Sequence, residues 1–351
     1  MVSRSFVFAV PGDLGTPTGG YAYDRRMIAE LERLGWHADV LDLGSEFPRP
    51  SAAARSAAQA QLEAVPKGRC IVIDGLALGV LPEAAVALHA SHKVVALVHH
   101  PLALETGLSP AEADALRESE RAALAAVHHV IVTGAATARL LASDYAVAAA
   151  RISVVPPGVD PVAPGRAGGD GTVALLSVGA LVPRKGYDVL LAALATITHL
   201  PWRLTIAGAR DRSPATAAAL DATIATLALA DRVTLAGAVA DDRLSGLYAE
   251  ADLFVLASRF EGYGMALAGA IAHGVPVIAT RAGAIPETVP AGAGILVAPD
   301  DAPALAAALR RVIEDAQERH RLAAGARAAA AQLPAWSQSA RIFSSVLEAV
   351  I

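Results

Sequence analysis

Short runs of β-branched and other apolar residues alternate with longer segments in which leucine and alanine recur at helical spacing, along the whole chain. Apolar runs of this length, bounded by turn residues, predict parallel strands buried on both faces and covered by helices. In the first half the expected strands are Phe6–Val10, Ala38–Leu41, Cys70–Ile73, Lys93–Val98, His129–Val132 and Ile152–Val155, with helices such as Tyr21–Leu34 and Pro110–Ala126 between them. In the second half they are Val173–Val178, Arg203–Ala207, Val233–Ala236, Leu253–Ala257, Val277–Ala279 and Gly294–Val297. The alanine-rich stretches Ala52–Ala64, Ala122–Ala126 and Ala323–Ala331 are expected to be plain helices, because alanine has the highest helix propensity.

Between the halves, Asp160–Gly171 (DPVAPGRAGGDG) has the proline and glycine content of a linker. The expected organisation is α/β, with a first domain over 1–165, a second over 170–334 and a terminal helical segment over 335–351. Each domain would be a doubly wound parallel sheet, with ligands at the carboxyl ends of its strands.

Composition narrows the function more than the fold. The 351 residues suit two domains. A net charge of −5 without a lysine or arginine run argues against a nucleic-acid partner. The single cysteine, Cys70, lies in the apolar run CIVID and is expected in the core of a protein from a reducing, cytoplasmic compartment. Phe6–Val10 is too short for a secretion signal and is interrupted at Pro11. Gly262–Thr280 carries no formal charge and approaches the roughly 20 residues of a membrane span. Its four glycines, His273 and Pro276 point instead to a buried helix and strand. Peripheral contact with a membrane surface stays open.

Four stretches carry candidate chemistry. Residues 258–276, SRFEGYGMALAGAIAHGVP, follow an expected strand and open a helix. A carboxylate at Glu261 could accept two sugar hydroxyls, and Gly262 and Gly264 let the backbone approach a ligand closely. It could equally serve as a partner for the helix dipole. Residues 178–186, VGALVPRKG, set Arg184 and Lys185 beside a helix N-terminus, where a diphosphate fits. This is no Walker A loop, since neither Ser nor Thr follows the lysine. Gly19 and Gly20 open the first helix, where free N–H groups can meet a phosphate or acceptor. His99 and His100 end an expected strand, at the edge where ligands bind. The chain holds no Asp-x-Asp, zinc-spaced His/Cys or Gly-x-Ser-x-Gly motif, so no metal site is expected.

Stretches 258–276 and 178–186 together resemble the signature of retaining GT-B glycosyltransferases of family 4, the glycosyl transferases group 1. The resemblance implies two Rossmann-like domains facing each other across a cleft, with the last helix returning to the first domain. It implies metal-independent transfer of a hexosyl group from a UDP- or GDP-linked sugar to a small-molecule, lipid or glycan acceptor, without a further cofactor. Lys185 would grip the donor diphosphate, with Arg184 replacing a family arginine whose position is Ala180. Glu261, Gly262, Tyr263, Gly264 and Met265 would hold the donor sugar. His99 would orient its hydroxyls, His100 would touch the acceptor or brace its loop, and Gly19 and Gly20 match the family's first glycine-rich loop.

At Gly269 the family has a second glutamate that binds the ribose. A hydrogen bond to a charged group is worth roughly 1.5–3 kcal/mol, so its loss should weaken nucleotide binding by about one to two orders of magnitude. Either another residue binds the ribose, or the donor is unusual, or the chain is a non-catalytic binding module. A phosphorylase or a sugar-nucleotide epimerase on the same fold is a further alternative.

Overall fold

A computed structural model describes residues 4–162 and 171–351, so most of the expected linker Asp160–Gly171 lies outside the described residues. The chain divides into two units, one running up to Gly158 and adding Pro334–Ile351, the other Val159–Leu333.

The first unit runs β1 (Ser5–Val10), α1 (Gly19–Arg33), β2 (His37–Asp42), α2 (Ala52–Glu63), β3 (Cys70–Asp74), α3 (Gly75–Leu78), α4 (Pro82–His89), β4 (Lys93–Val98), α5 (Pro110–Ala126), β5 (His129–Val132), α6 (Ala135–Asp144) and β6 (Ile152–Val154). Its strands pair in parallel in the order β2-β1-β3-β4-β5-β6. β3 is buried throughout. Cys70 sits there, 2% exposed, and burial pushes its thiol up to about 12, as suits a core residue.

The second unit runs β7 (Val173–Val178), α7 (Tyr187–Ala195), β8 (Trp202–Ala207), α8 (Pro214–Thr226), β9 (Val233–Gly237), α9 (Asp241–Glu250), β10 (Leu253–Leu256), α10 (Met265–Ala272), β11 (Val277–Thr280), α11 (Ile285–Thr288), β12 (Gly294–Val297), α12 (Ala302–Glu314) and α13 (Ala316–Ala330). The order of this all-parallel sheet is β12-β11-β10-β7-β8-β9. Leu175 and Leu176, adjacent on β7, enter separate apolar clusters, as strand alternation requires. The uncharged stretch Gly262–Thr280 is α10 followed by β11. No helix among the described residues is long and apolar enough to cross a membrane.

The last helix, α14 (Trp336–Val350), packs in the first unit against α1. Trp36 donates from Nε1 to Ser344 Oγ at 2.9 Å, and Arg4 pairs with Glu348 at 2.8 Å. At the head of α14 the Arg26 guanidinium lies over the Trp336 ring, 5.5 Å from its centroid. Gly158 lies so close that a Cβ there would be 2.2 Å from Trp336 N.

Local chemistry sets the helix ends. Thr18 caps α1 by accepting the Tyr21 N–H, so the helix starts at Gly19 rather than Tyr21. Ser109 and Glu112 form a capping box at α5, with Pro110 in its first turn.

Buried Glu120 on α5 accepts the Leu102 N–H at 3.0 Å and so fastens the loop that follows His99 and His100. Burial pushes its carboxyl from 4.5 up to about 8, against the opposing pull of that hydrogen bond. Between those values the folded protein keeps a proton that the unfolded chain releases, so stability falls as pH rises through that window. Glu120→Gln keeps the acceptor and removes the titration. Its thermal midpoint is expected to exceed the native value by several degrees near pH 8 and to show no gain near pH 4.5. Equal midpoints at both pH values would show that Glu120 is ionised within the fold.

Candidate functional site

In the second unit the strand order reverses between β7 and β10, the position at which open α/β sheets leave a ligand crevice beyond the strand ends. The two candidate loops leave these two strands. After β7 the chain passes Gly179 and a 3-10 turn, Pro183–Lys185, then enters α7 through Gly186. After β10 it passes Ser258 to Glu261 and enters α10 through Gly264, at φ 91°. Arg259 N–H donates to Arg184 O at 2.8 Å, tying one loop to the other.

These loops bring Arg184, Lys185 and Glu261 together. Lys185 Nζ donates to Glu261 Oε1 at 2.6 Å, and Ser258 Oγ donates to the same oxygen at 2.6 Å. Arg184 Nη1 donates to Phe260 O at 2.8 Å and lies 3.6 Å from Glu261 Oε2. Glu261 is buried, which works against its ionisation, but Lys185 and Arg184 outweigh burial and hold the carboxyl below its usual range. Thr280, at the end of β11, donates from Oγ1 to Ser258 O and fixes that residue.

Bare backbone makes room for the lysine. A Cβ on Gly179 would stand 2.8 Å from Lys185 Cε, so the lysine stem lies across this glycine. Tyr187 donates to Gly179 O at 2.7 Å and holds the strand end in place. Arg259, which sequence reading passed over, bridges the outer side of the loops: its guanidinium meets both oxygens of Asp188 at 3.2 and 2.7 Å and Asp300 at 2.8 Å.

Of the remaining second-unit candidates, Gly262 joins Glu261 to Tyr263, and Met265 is the first residue of α10. Tyr263 O accepts from Thr288 Oγ1 at 2.5 Å. Gly269 lies on α10 with its open side taken by Tyr248 of α9: a Cβ would come within 3.0 Å of the phenol carbon and oxygen. Tyr248 donates to Ala266 O at 2.9 Å and stacks on His273, which holds it against α10. Glycine at this position thus admits a ring that a glutamate would crowd.

In the first unit the strand order reverses between β1 and β3. His99 follows β4, Asp74 ends β3, and Asp24 projects from α1. His99 Nε2 lies 3.1 Å from Asp24 Oδ1 and 3.5 Å from Asp74 Oδ2, and both carboxylates are buried. Burial disfavours a charged ring, but the two carboxylates reverse this and raise the His99 imidazole well above its usual range. Gly20 lies against the ring, where a Cβ would be 3.3 Å from His99 Cδ2, while Gly19 begins α1. His100 Nε2 stands 3.4 Å from Glu105 Oε2 within its own loop. Asp24, Asp74 and His99 bring ligand-type atoms within 4.8 Å of one another, a cluster that motif spacing does not reveal. His128 stacks on His89 at 4.5 Å, and His129 meets Ser153 Oγ at 2.9 Å.

Two family descriptions match the chain. Residues 78–162 match Glycosyltransferase Family 4, and residues 168–329 match Glycosyl transferases group 1. The chain is 29% identical over 279 residues to an MMP alpha-(1->4)-mannosyltransferase of Mycolicibacterium hassiacum, covering 74% of this chain and 66% of that protein. It is 32% identical over 269 residues to a D-inositol 3-phosphate glycosyltransferase of Kineococcus radiotolerans, covering 67% and 61%. The matched region thus spans less than two thirds of either relative. Among solved structures, a sucrose-phosphate synthase from Thermosynechococcus elongatus superposes with a TM-score of 0.81 at 22% identity, over 98% of this chain and 99% of that one. The Anabaena protein HepE in complex with UDP and glucose gives 0.76 at 21% identity, over 97% and 99%. Two six-stranded parallel sheets, the two family matches in chain order and these neighbours agree: the chain belongs to the GT-B glycosyltransferases of family 4.

Proposed function

We propose that this chain transfers a hexosyl group, with retention of configuration, from a nucleoside diphosphate sugar to a hydroxyl-bearing acceptor. The observation that carries this reading is the convergence of Lys185 and Arg184 on buried Glu261 at the β7/β10 crevice. In this arrangement the cations and the carboxylate neutralise one another. A diphosphate would draw on Lys185 and Arg184, leaving Glu261 to accept hydroxyl protons from the sugar. As the bond to the sugar breaks, negative charge grows on the departing phosphate, and the two cations are already placed to stabilise it. That work needs no divalent ion. The leaving phosphate itself would assist deprotonation of an acceptor attacking from the same face, so no dedicated protein base is required.

A relative named as a mannosyltransferase supports a hexosyl group as the cargo, one named as a D-inositol 3-phosphate glycosyltransferase supports a hydroxyl-bearing acceptor, and HepE, solved with UDP, supports a nucleoside diphosphate leaving group. Gly269 favours one second reading, a nucleotide held without the ribose carboxylate, and the Tyr248 ring against its Cβ position supports it.

Calorimetric titration with UDP, GDP and ADP tests the proposal. One nucleotide is expected to bind with micromolar affinity and to name the donor base. Gly269→Glu alone is expected to gain less than the tenfold to hundredfold that a ribose carboxylate is worth (roughly 1.5–3 kcal/mol), because Tyr248 crowds the new side chain. Adding Tyr248→Leu should release the full gain. Absence of binding by all three nucleotides, together with no turnover of their sugars, would overturn the transferase reading.

A further inference from the structure

His99 is held at Nε2 by two buried carboxylates. Both neighbours of Nε2 are carboxylate oxygens, Asp24 Oδ1 at 3.1 Å and Asp74 Oδ2 at 3.5 Å. Burial raises the Asp24 carboxyl to about 6, so above that pH both carboxylates are ionised and only accept, and both contacts require Nε2 to carry a proton. The clamp is itself fixed. Asp74 uses its other oxygen to cap α3, accepting the Leu76 N–H at 2.7 Å. Asp24 is wholly buried on α1, and its Oδ2 has no hydrogen-bond partner among the described residues. Packing holds the ring between the Tyr23 edge, with centroids 5.3 Å apart, and the bare backbone of Gly20. Tyr23 and Asp24 from α1 and Asp74 from β3 are the titratable groups facing the ring, while Thr133 donates to the His99 carbonyl at 3.5 Å. Nδ1 makes no hydrogen bond among the described residues, and the His99 side chain keeps 21% of its surface exposed.

We propose that Asp24 and Asp74 are positioning residues that clamp Nε2–H of His99 and leave Nδ1–H to meet the substrate, so that His99 serves as a hydrogen-bond donor to a sugar oxygen and not as a base. The substrate half of this rests on the transferase reading above; the clamp itself does not. A base would need a lone pair on Nδ1; the two carboxylates that accept from Nε2–H also favour the charged imidazolium over the neutral ring, and the imidazolium keeps its second proton on Nδ1. Asp24 never touches the sugar, and its effect passes entirely through the ring.

The ring nitrogens of His99 can be followed by NMR in the ¹⁵N-labelled full chain, with their signals assigned by comparison with His99→Gln. In the native protein both nitrogens are expected to stay protonated from about pH 6 to about pH 9, a range across which an unperturbed imidazole, at about 6.5, loses its charge. In Asp24→Asn the midpoint should fall into that range, and in Asp74→Asn it should move in the same direction. A native His99 that titrates at the ordinary value overturns the clamp without recourse to any variant. An Asp24→Asn ring that titrates like the native one overturns it too. Addition of magnesium, manganese or zinc after chelator treatment should leave Nε2 unmoved; a shift would replace the clamp by a cation site.

With a donor in hand, Asp24→Asn is expected to lower kcat roughly tenfold to a hundredfold with little change in KM. Its kcat/KM should also fall with rising pH where the native profile is flat. Parallel loss in kcat and KM with an unchanged profile would mark Asp24 as merely structural. Failure of every donor would remove the sugar from the proposal along with the transferase reading, whereas failure of the ring titration would remove the clamp alone.

Discussion

Lys185→Met is expected to lower kcat for sugar transfer by roughly 10²–10³-fold, the scale on which one preorganised charge at a developing anion acts. Methionine keeps an apolar stem across Gly179 and removes the ammonium that donates to Glu261 at 2.6 Å. The same change should destabilise the second unit. Removing one member of a buried ion pair costs about 3–5 kcal/mol, because the other charge stays buried without its partner. Arg184, 3.6 Å from Glu261, should reduce that cost.

Stability and activity can then be separated. Glu261→Gln on top of Lys185→Met removes the stranded charge and is expected to recover most of the thermal midpoint while recovering none of the activity. The acid limb gives an independent check. A carboxyl whose folded value lies below its ordinary one adds stability at neutral pH that is lost as pH falls through the folded value. The gap between native and Lys185→Met midpoints should therefore be widest at neutral pH and close in strong acid. A gap of the same size at every pH would show that the ion pair does not form, and a double variant with restored kcat would remove the lysine from the chemistry.

What sequence could reveal about this site follows from how local each signal is. β4 and β5 were legible to the residue because Val94–Val98 and Val130–Val132 are continuous apolar runs, each entered from a polar residue and left at another. The short helices α3 and α4 have too few turns to establish a period, and they become intelligible only from the Asp74 cap and the proline at the start of α4. Arg184, Lys185 and Glu261 each lie within a few residues of a strand end, so reading them needs only the chain's own order. Asp24 could not be found that way. An acid within an amphipathic helix reads as a solvent-facing residue, and its burial against His99 appears only once the sheet places β3 between β1 and β4. Tyr248 and Gly269 are a similar case, since their meeting depends on how α9 packs on α10, and a gap in a motif says nothing about what fills it.

Gly186→Ala is expected to be among the most damaging small substitutions in the second unit, because it meets two obstacles that no rotamer can relieve. Gly186 has φ 64° and ψ 31°, a left-handed conformation that costs an L-residue about 1–2 kcal/mol. A Cβ there would also lie 2.1 Å from Ala257 O and 2.9 Å from Ala257 C, both backbone atoms just beyond β10. Overpacking of that kind adds about 1–3 kcal/mol, so the total is about 2–5 kcal/mol, a large share of the 5–15 kcal/mol that typically holds a domain folded. Gly237→Ala supplies the control. Gly237 has φ 69° but nothing within 4 Å of its Cβ position, so alanine there meets the backbone cost alone. The midpoint of Gly186→Ala should therefore fall well below that of Gly237→Ala, and the difference measures the Ala257 contact. The damage should also reach the ligand. Gly186 seats the Pro183–Lys185 turn against the end of β10, the same junction across which Arg259 N–H meets Arg184 O and Lys185 meets Glu261. Pushing the turn off that strand separates the cations from the carboxylate, so nucleotide binding should be lost in Gly186→Ala at temperatures where the variant is still folded, and kept in Gly237→Ala. Equal affinities in the two variants would mean that the turn can leave β10 without disturbing the site, and the crevice between β7 and β10 would then owe its shape to the Arg259 bridge.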